Sequence, residues 1–274
     1  MKPRLTVLYH FYYPDTVVSA CIYRELSEDL AVFGWEVEVW PSNRSCRRKN
    51  QKYPALETYK NVQIKRVWRP DFKQESSFGR IFNSMWMICA WFLRFLFNPG
   101  KRPQVVLIGT DPVLGLIASI GIRAVDPKVK IAHWCFDLYP EAAAADKKIK
   151  DNSWGYRFLN WMMNCAYRAC DLIVDLGSCM RQRLEKYSSN AVRETLTPWA
   201  FYEPAQVRPA DPKEKCNLFG DASLGILYSG SFGLAHSADL VGQLACGLAA
   251  EKIRFSFSIR GHGEKAFRDR KSVV

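Results

Sequence analysis

The chain has 274 residues, 48% of them hydrophobic and 24% charged, and its 39 Lys plus Arg against 27 Asp plus Glu leave a net charge of +12. That length suits one large or two modest α/β domains, and the composition excludes wholesale disorder. The positive surplus favours anionic partners, whether phosphorylated small molecules, acidic lipid head groups or nucleic acid, without choosing among them.

Short apolar runs alternate with stretches of helical spacing, the sequence form of an α/β doubly wound parallel sheet. Leu5–His10 is the first strand; Met1–Tyr13 has no small-residue cleavage site and is not a signal peptide. Ser19–Phe33 has helical spacing through Ile22, Leu26 and Leu30 and stops at Gly34, and Glu36–Trp40 is the second strand. After a polar, basic loop at 42–52, Val62–Val67 is the third strand, followed by an aromatic helix. Val105–Gly109 is the fourth strand, with Pro112 near the start of the next helix, where its missing N–H costs nothing. Val129–Trp134, Asp171–Asp175 and Val192–Leu196 are further strands, and Trp154–Ala169 and Met180–Tyr187 are helices.

The aromatic segment Ile81–Phe97 is apolar apart from Asn83, Ser84 and Arg94, and its 17 residues sit at the lower edge for a membrane span. It reads as a buried crossover helix or, with Arg80, Arg94, Lys101 and Arg102 around it, as a helix lying in a head-group layer.

Pro198, Pro204, Pro209 and Pro212 mark a linker, which divides the chain into a domain at 1–200, a linker at 201–222 and a second domain at 223–274. In the second domain Leu224–Ser229 is a strand, Ser237–Ala250 a helix and Ile253–Ile259 a strand, with a Gly261-His262-Gly263 turn after it. Gly230 and Gly233 follow the first of these strands, where backbone N–H groups and a helix N-terminus would meet a phosphate. Their spacing is not G-x-G-x-x-G, so a structural connector remains open.

His133-Trp134-Cys135-Phe136-Asp137-Leu138-Tyr139-Pro140-Glu141 follows a strand directly, placing Asp137 at the carboxyl edge of the sheet, where open α/β folds bind ligands. A carboxylate there orients a sugar or takes a proton from an acceptor hydroxyl; alternatively Asp137 caps a turn and Glu141 opens a helix. Thr110 and Asp111 form a similar edge, with Asp111 read as the N-cap before Pro112. His10 and Ser19 face the same crevice, and His10 also suits a structural role. The four histidines show no metal-ligand spacing, so no metal site is expected. The nine cysteines form neither a CxxC pair nor a dense framework and read as free thiols of a reducing cytosol.

In order and spacing, H-F-Y-Y-P-D-T-V-V-S-A, G-W-E-V-E-V-W, H-W-C-F-D-L-Y-P-E, D-L-I-V-D-L-G-S-C-M, L-Y-S-G-S-F-G-L-A-H and I-R-G-H-G resemble a bacterial glycosyltransferase of family 4, or group 1, with the GT-B architecture. The resemblance implies two Rossmann-like domains, an acceptor-binding one first and a nucleotide-sugar-binding one second, with transfer in the cleft between them, retention at the sugar and no cofactor or metal. It puts Ser19, His10, Thr110, Asp111, Glu141 and the catalytic Asp137 on the acceptor side, and Gly230, Ser231, Gly233, Gly261 and Gly263 on the donor side. The implied partners are a nucleotide-sugar donor and a glycan or lipid-linked acceptor of cell-surface polysaccharide biosynthesis, at a cytoplasmic location or an inner-membrane surface.

Three departures accompany it: D-T-V-V-S replaces the Gly-Gly of many relatives, Leu234-Ala235-His236 stand where relatives place Arg and Lys, and the E-x7-E segment does not occur before Val274. The second Rossmann-like domain is therefore expected to be incomplete and the chain inactive by itself. The alternative is a non-catalytic half-enzyme that docks on a partner subunit supplying the missing half. Nucleic acid is not expected, because the basic residues are scattered and no reading motif occurs.

Overall fold

The computed structural model describes residues 2–46, 48, 50–72, 76–98, 102–201, 206, 209, 211–229, 238–251 and 255–260. The chain divides into two compact units, residues 1–200 and 201–274.

The first unit is an eight-stranded sheet with the strands β1 (Arg4–Leu8), β2 (Glu36–Val39), β3 (Leu56–Tyr59), β4 (Val62–Lys65), β5 (Val105–Ile108), β6 (Lys130–Trp134), β7 (Leu172–Asp175) and β8 (Val192–Thr195) in the order β3-β4-β2-β1-β5-β6-β7-β8. All neighbours pair in parallel except β3 with β4. Central strands are buried on both faces and so read as continuous apolar runs, as in Leu5 to Leu8 and Val106 to Ile108. Leu5 pairs with Val37 on one side and Val105 on the other.

β3 is absent from the expectation of a single strand at Val62–Val67. It forms a hairpin with β4 through Lys60 and Asn61, both at positive φ (45° and 64°), as a two-residue turn of matching twist requires. Leu-Glu-Thr-Tyr is too short and mixed to announce a strand, and Lys-Asn is not the Asn-Gly pair that announces such a turn.

The helices of the first unit are α1 (Val18–Val32), α2 (Ser77–Leu96), α3 (Ala118–Val125), α4 (Glu141–Ala145), α5 (Trp154–Arg168) and α6 (Ser178–Leu184). α1 ends through Gly34 at φ 92°, whose N–H bonds Ala31 O at 3.1 Å while Trp35 N bonds Leu30 O at 3.0 Å, a left-handed exit suited to glycine. Ser76 caps α2 by accepting from Gly79 N at 3.0 Å, and Ser153 caps α5 by accepting from Tyr156 N at 3.2 Å. Pro112 does not begin a helix: it lies in a turn followed by a 3-10 segment at Gly115–Ile117, and α3 starts only at Ala118.

Two cores lie on the two sheet faces. One packs Met87, Trp91 and Phe95 of α2 with Ile122 of α3, Met163 and Tyr167 of α5 and Leu184 of α6. The other packs Ala20, Ile22 and Tyr23 of α1 with Tyr9, Val37, Val39 and Trp134. α2 is thus a crossover helix on one face only. Trp91 is closed from solvent and donates to Trp40 O at 2.8 Å, whereas Phe78 (72%) and Phe97 (74%) are largely exposed on the outer side.

In the second unit, α7 (Pro212–Phe219) lies in the stretch read as linker; Asp211 caps it and Pro212 opens it. β9 (Leu224–Ser229), α8 (Ala238–Ala250) and β10 (Phe255–Arg260) form a parallel β-α-β unit, Leu224 pairing with Phe255. Gly225 is held beside Phe219, whose ring a Cβ there would meet at 2.6 Å.

Candidate active site

The strand order reverses between β1 and β5, so a crevice opens outside the carboxyl ends of these strands, where doubly wound sheets bind ligands. Five strands deliver side chains to that edge: β4 leads to Arg69, β2 to Ser42, β1 to His10, β5 to Thr110 and Asp111, and β6 to Asp137.

His10 is buried. Its backbone N–H donates to Asp111 O at 2.9 Å, and its Nδ1 stands 3.4 Å from Asp111 Oδ1. Asp111 therefore turns its carboxylate to His10 and caps no helix, contrary to the sequence expectation. The other ring nitrogen, His10 Nε2, is closed to solvent and has no hydrogen-bond partner.

Thr110 ties two edge loops together. Its Oγ1 accepts from Phe136 N at 2.8 Å, which fixes the loop carrying Asp137 against the loop carrying Asp111. Asp137 is exposed on the edge and its carboxylate takes no hydrogen bond among the described residues. Partial desolvation among these loops, and then the nearby Asp111, push its carboxyl above the ordinary carboxylate range. It does not cap a turn. A narrow recess lined by Thr110, Leu114, His133, Asp137, Tyr139 and Tyr167 opens beside it.

His133 belongs to the support. It donates from Nδ1 to Ile108 O at 2.8 Å, and burial lowers its imidazole to about 4, so it is neutral near pH 7. Glu141 is also committed: it opens α4, accepts from Tyr187 Oη at 2.7 Å and pairs with Lys186. Of the two readings of Glu141, the helix start holds. Ser19 lies in the first turn of α1 and hydrogen-bonds the Tyr9 hydroxyl, whose ionisation is opposed first by burial and then by Asp111.

Gly109 is what lets this edge close. A Cβ there would sit 2.3 Å from Tyr9 Cδ2 and 2.7 Å from Tyr23 Oη, and these two rings stack at 4.2 Å. The loop after β1 is anchored by Asp15, which is buried and accepts from Ser45 Oγ at 2.9 Å and Tyr53 Oη at 3.2 Å. This is the aspartate of the D-T-V-V-S departure, and its role is structural.

Two arginines at this edge went unread in the sequence. Arg69 is buried; its Nε donates to Ser42 Oγ at 3.1 Å, and Ser42 N in turn donates to His10 O at 2.9 Å. Arg44 donates from Nε to Arg69 O at 2.8 Å and pairs with Asp71 at 3.0 Å. Burial, and then Arg44, lower the affinity of Arg69 for its proton. The only available signal was Arg69-Pro70 just past a strand, which is compatible with an ordinary surface cation.

Gly230, Ser231, Gly233, Gly261 and Gly263 lie outside the described residues. Among the described residues, no group of three or more His, Cys, Asp and Glu gathers as a metal site would require.

Neither a family model nor a curated protein matches the sequence. Among solved structures, the chain is similar to a sucrose-phosphate synthase from Thermosynechococcus elongatus over 95% of its own length and 71% of that chain, with TM-score 0.55 and 12% identity. It is similar to an α,α-trehalose 6-phosphate synthase from Burkholderia multivorans over 100% and 67%, with TM-score 0.56 and 11% identity. LpCGTa, solved in complex with UDP, is similar over 96% and 71%, with TM-score 0.54 and 10% identity. These neighbours are GT-B glycosyltransferases, and what the chain shares with them at such identities is the fold: a Rossmann-like α/β architecture.

Proposed function

We propose that this chain is a glycosyltransferase of the family 4 type, moving a sugar from a nucleotide-sugar to a hydroxyl of a glycan or lipid-linked acceptor in cell-surface polysaccharide synthesis. The observation that carries the reading is Asp137: an exposed, unengaged carboxylate, raised above its ordinary range, at the carboxyl end of β6 beside the switch point.

In this reading Asp137 receives the proton of the acceptor hydroxyl as its oxygen attacks the anomeric carbon on the face from which the nucleoside diphosphate leaves, so that configuration is retained. A raised carboxyl is a stronger base than an ordinary one. His10 acts differently: its Nδ1 faces Asp111, so it positions that carboxylate. Thr110 holds the Asp111 and Asp137 loops in register. Gly230, Ser231, Gly233, Gly261 and Gly263 would bind the donor, whose diphosphate suits glycine turns and helix N-termini. The UDP bound to LpCGTa agrees with such a donor.

We place the protein at the cytoplasmic face of a membrane. No described helix is long and apolar enough to cross one. The outer side of α2 nevertheless exposes Phe78, Ile81, Phe82, Met85 and Trp86, and α5, on the same sheet face, exposes Trp154 and Trp161. Arg80, Arg94, Arg123, Arg157 and Arg168 are the only charged residues of α2, α3 and α5, which contain no Asp or Glu. Arg123 is paired with Asp171 and Arg94 turns inward to Lys65 O, but an aromatic surface whose exposed charges on these helices are Arg80, Arg157 and Arg168 suits an anionic head-group layer.

The test is release of nucleoside diphosphate from a panel of nucleotide-sugars. Release by the wild-type chain that falls about 100-fold or more in Asp137→Ala supports the reading, that being the usual loss with a general base. No release with any nucleotide-sugar contradicts it and returns the reading to the inactive chain expected from the missing E-x7-E segment.

A further inference from the structure

Arg66 and Arg69 follow β4 closely and are equally buried, yet their surroundings differ. Arg66 is fully employed: it pairs with Glu57 at 2.7 Å, donates to Pro54 O at 3.0 Å and Tyr13 O at 2.6 Å, and lies 5.2 Å from the Tyr53 ring. Arg69 makes no ion pair among the described residues, and its Nη1 is closed to solvent without an acceptor. A buried charge without a partner is costly, and an unmade hydrogen bond to it adds to that cost. The neighbouring cation, Arg44, has spent its own carboxylate partner on Asp71. Asp71 and Asp111 act on the Arg69 charge without forming an ion pair with it, so an idle fork donor remains at one end of the switch-point edge.

The opposite end is anionic. Arg69 Nε is fixed over Ser42 on the β2 side, Ser42 bonds His10 on β1, and Asp111 and Asp137 follow β5 and β6. Strands lie about 4.8 Å apart, so from β2 to β6, which leads to Asp137, the two ends are separated by about three spacings, roughly 14 Å. A molecule along this edge meets a guanidinium at one end and a proton-accepting carboxylate at the other.

We propose that Arg69, backed by Arg44, binds a phosphate or carboxylate group of the acceptor, so that the site takes anionic acceptors whose reactive hydroxyl lies about three strand spacings from that group. This rests on the acceptor-side reading of the edge. Guanidinium is suited to the task because its fork meets two oxygens of one anion, whereas an ammonium offers a point charge. An anion at Arg69 supplies the missing acceptor to Nη1. A phosphosugar and a lipid-linked phosphate present the same chemistry at this position.

The experiment measures thermal protection and affinity of the full chain with four probes: inorganic phosphate, glucose 1-phosphate, farnesyl phosphate and UDP. The expected result is protection by phosphate and by at least one of the two phosphomonoesters, weakened at least tenfold in Arg69→Met and severalfold in Arg69→Lys. Glucose 1-phosphate as the tighter probe identifies a soluble acceptor, and farnesyl phosphate a lipid-linked one. Unliganded Arg69→Met should melt no lower than wild type, because a structural arginine would lose stability and a binding one relieves an unpaired charge. No protection of the wild type, equal protection of both variants, or an Arg69 dependence confined to UDP overturns the proposal. Should Arg69→Met fail to fold, Arg69→Lys decides by the same readings. Because anion binding is read without turnover, a chain that binds phosphate through Arg69 but releases no nucleoside diphosphate contradicts the transferase reading and leaves this one standing; the reverse result does the opposite.

Discussion

His10 and Asp111, 101 positions apart, meet across the reversal of strand order, with Nδ1 and Oδ1 3.4 Å apart and a backbone bond of 2.9 Å beside them. Their contact fixes where the Asp111 charge lies, and that charge acts on Asp137. Asp111→Asn should therefore lower the Asp137 pKa towards its ordinary value. Removing a nearby negative charge favours ionisation, so activity should persist to lower pH. The acid limb of the pH–rate profile reads this; an unmoved limb with a lower plateau would indicate a purely structural pair.

Asp137 itself carries a pH-dependent stability of opposite sign to that of most surface carboxylates. Its folded pKa is raised above the unfolded value, so at neutral pH the ionised form slightly disfavours folding, and that cost vanishes as pH falls through the folded pKa. Asp137→Asn should melt slightly above wild type at pH 7 and level with it at pH 3, while transfer is lost. A lower melting temperature at pH 7 would show that the carboxylate is a structural partner.

Asp175, at the end of β7, behaves in the reverse way. Burial raises its carboxyl, but Thr195 Oγ1 at 2.7 Å, Arg181 Nε at 2.9 Å and Gly177 N at 3.1 Å outweigh it and leave the carboxyl below its ordinary value. Its stabilising contribution is present above the unfolded value of about 3.9 and is lost as pH falls through the lower folded one. Asp175→Asn should cost about 1–3 kcal/mol at neutral pH. Denaturant midpoints taken across the acid range should show the deficit closing below pH 3.

Gly109→Ala tests the close approach at the switch point. With Tyr9 Cδ2 at 2.3 Å and Tyr23 Oη at 2.7 Å from the added Cβ, one ring of the stacked pair must move. Overpacking of this kind costs about 1–3 kcal/mol. Tyr9 precedes His10, so acceptor-side function should fall along with the melting temperature.

The outer face of α2 can be tested without turnover. Phe78→Ser with Ile81→Ser should abolish sedimentation with anionic vesicles at low salt while leaving the melting temperature nearly unchanged, since both side chains are largely exposed. Equal binding to zwitterionic vesicles would remove the role assigned to the arginines.

The central strands were legible because parallel strands buried on both faces are rich in Val, Ile and Leu, as in β5. β3 was not, since an edge strand of Leu-Glu-Thr-Tyr carries no such run. The edge position of Asp137 followed from its place just after a strand, yet the partner of Asp111 did not: a carboxylate before proline looks like a cap, and only the sheet order brings His10 to it. Arg69 was invisible for a related reason. Burial and the lack of an acceptor are properties of its surroundings, and one charged residue after a strand says nothing of either.

The central claim is most directly tested by nucleoside diphosphate release from nucleotide-sugars, measured for the wild-type chain and for Asp137→Ala. The account predicts release by the wild type and a loss of about 100-fold or more in the variant. Equal release from both would contradict it.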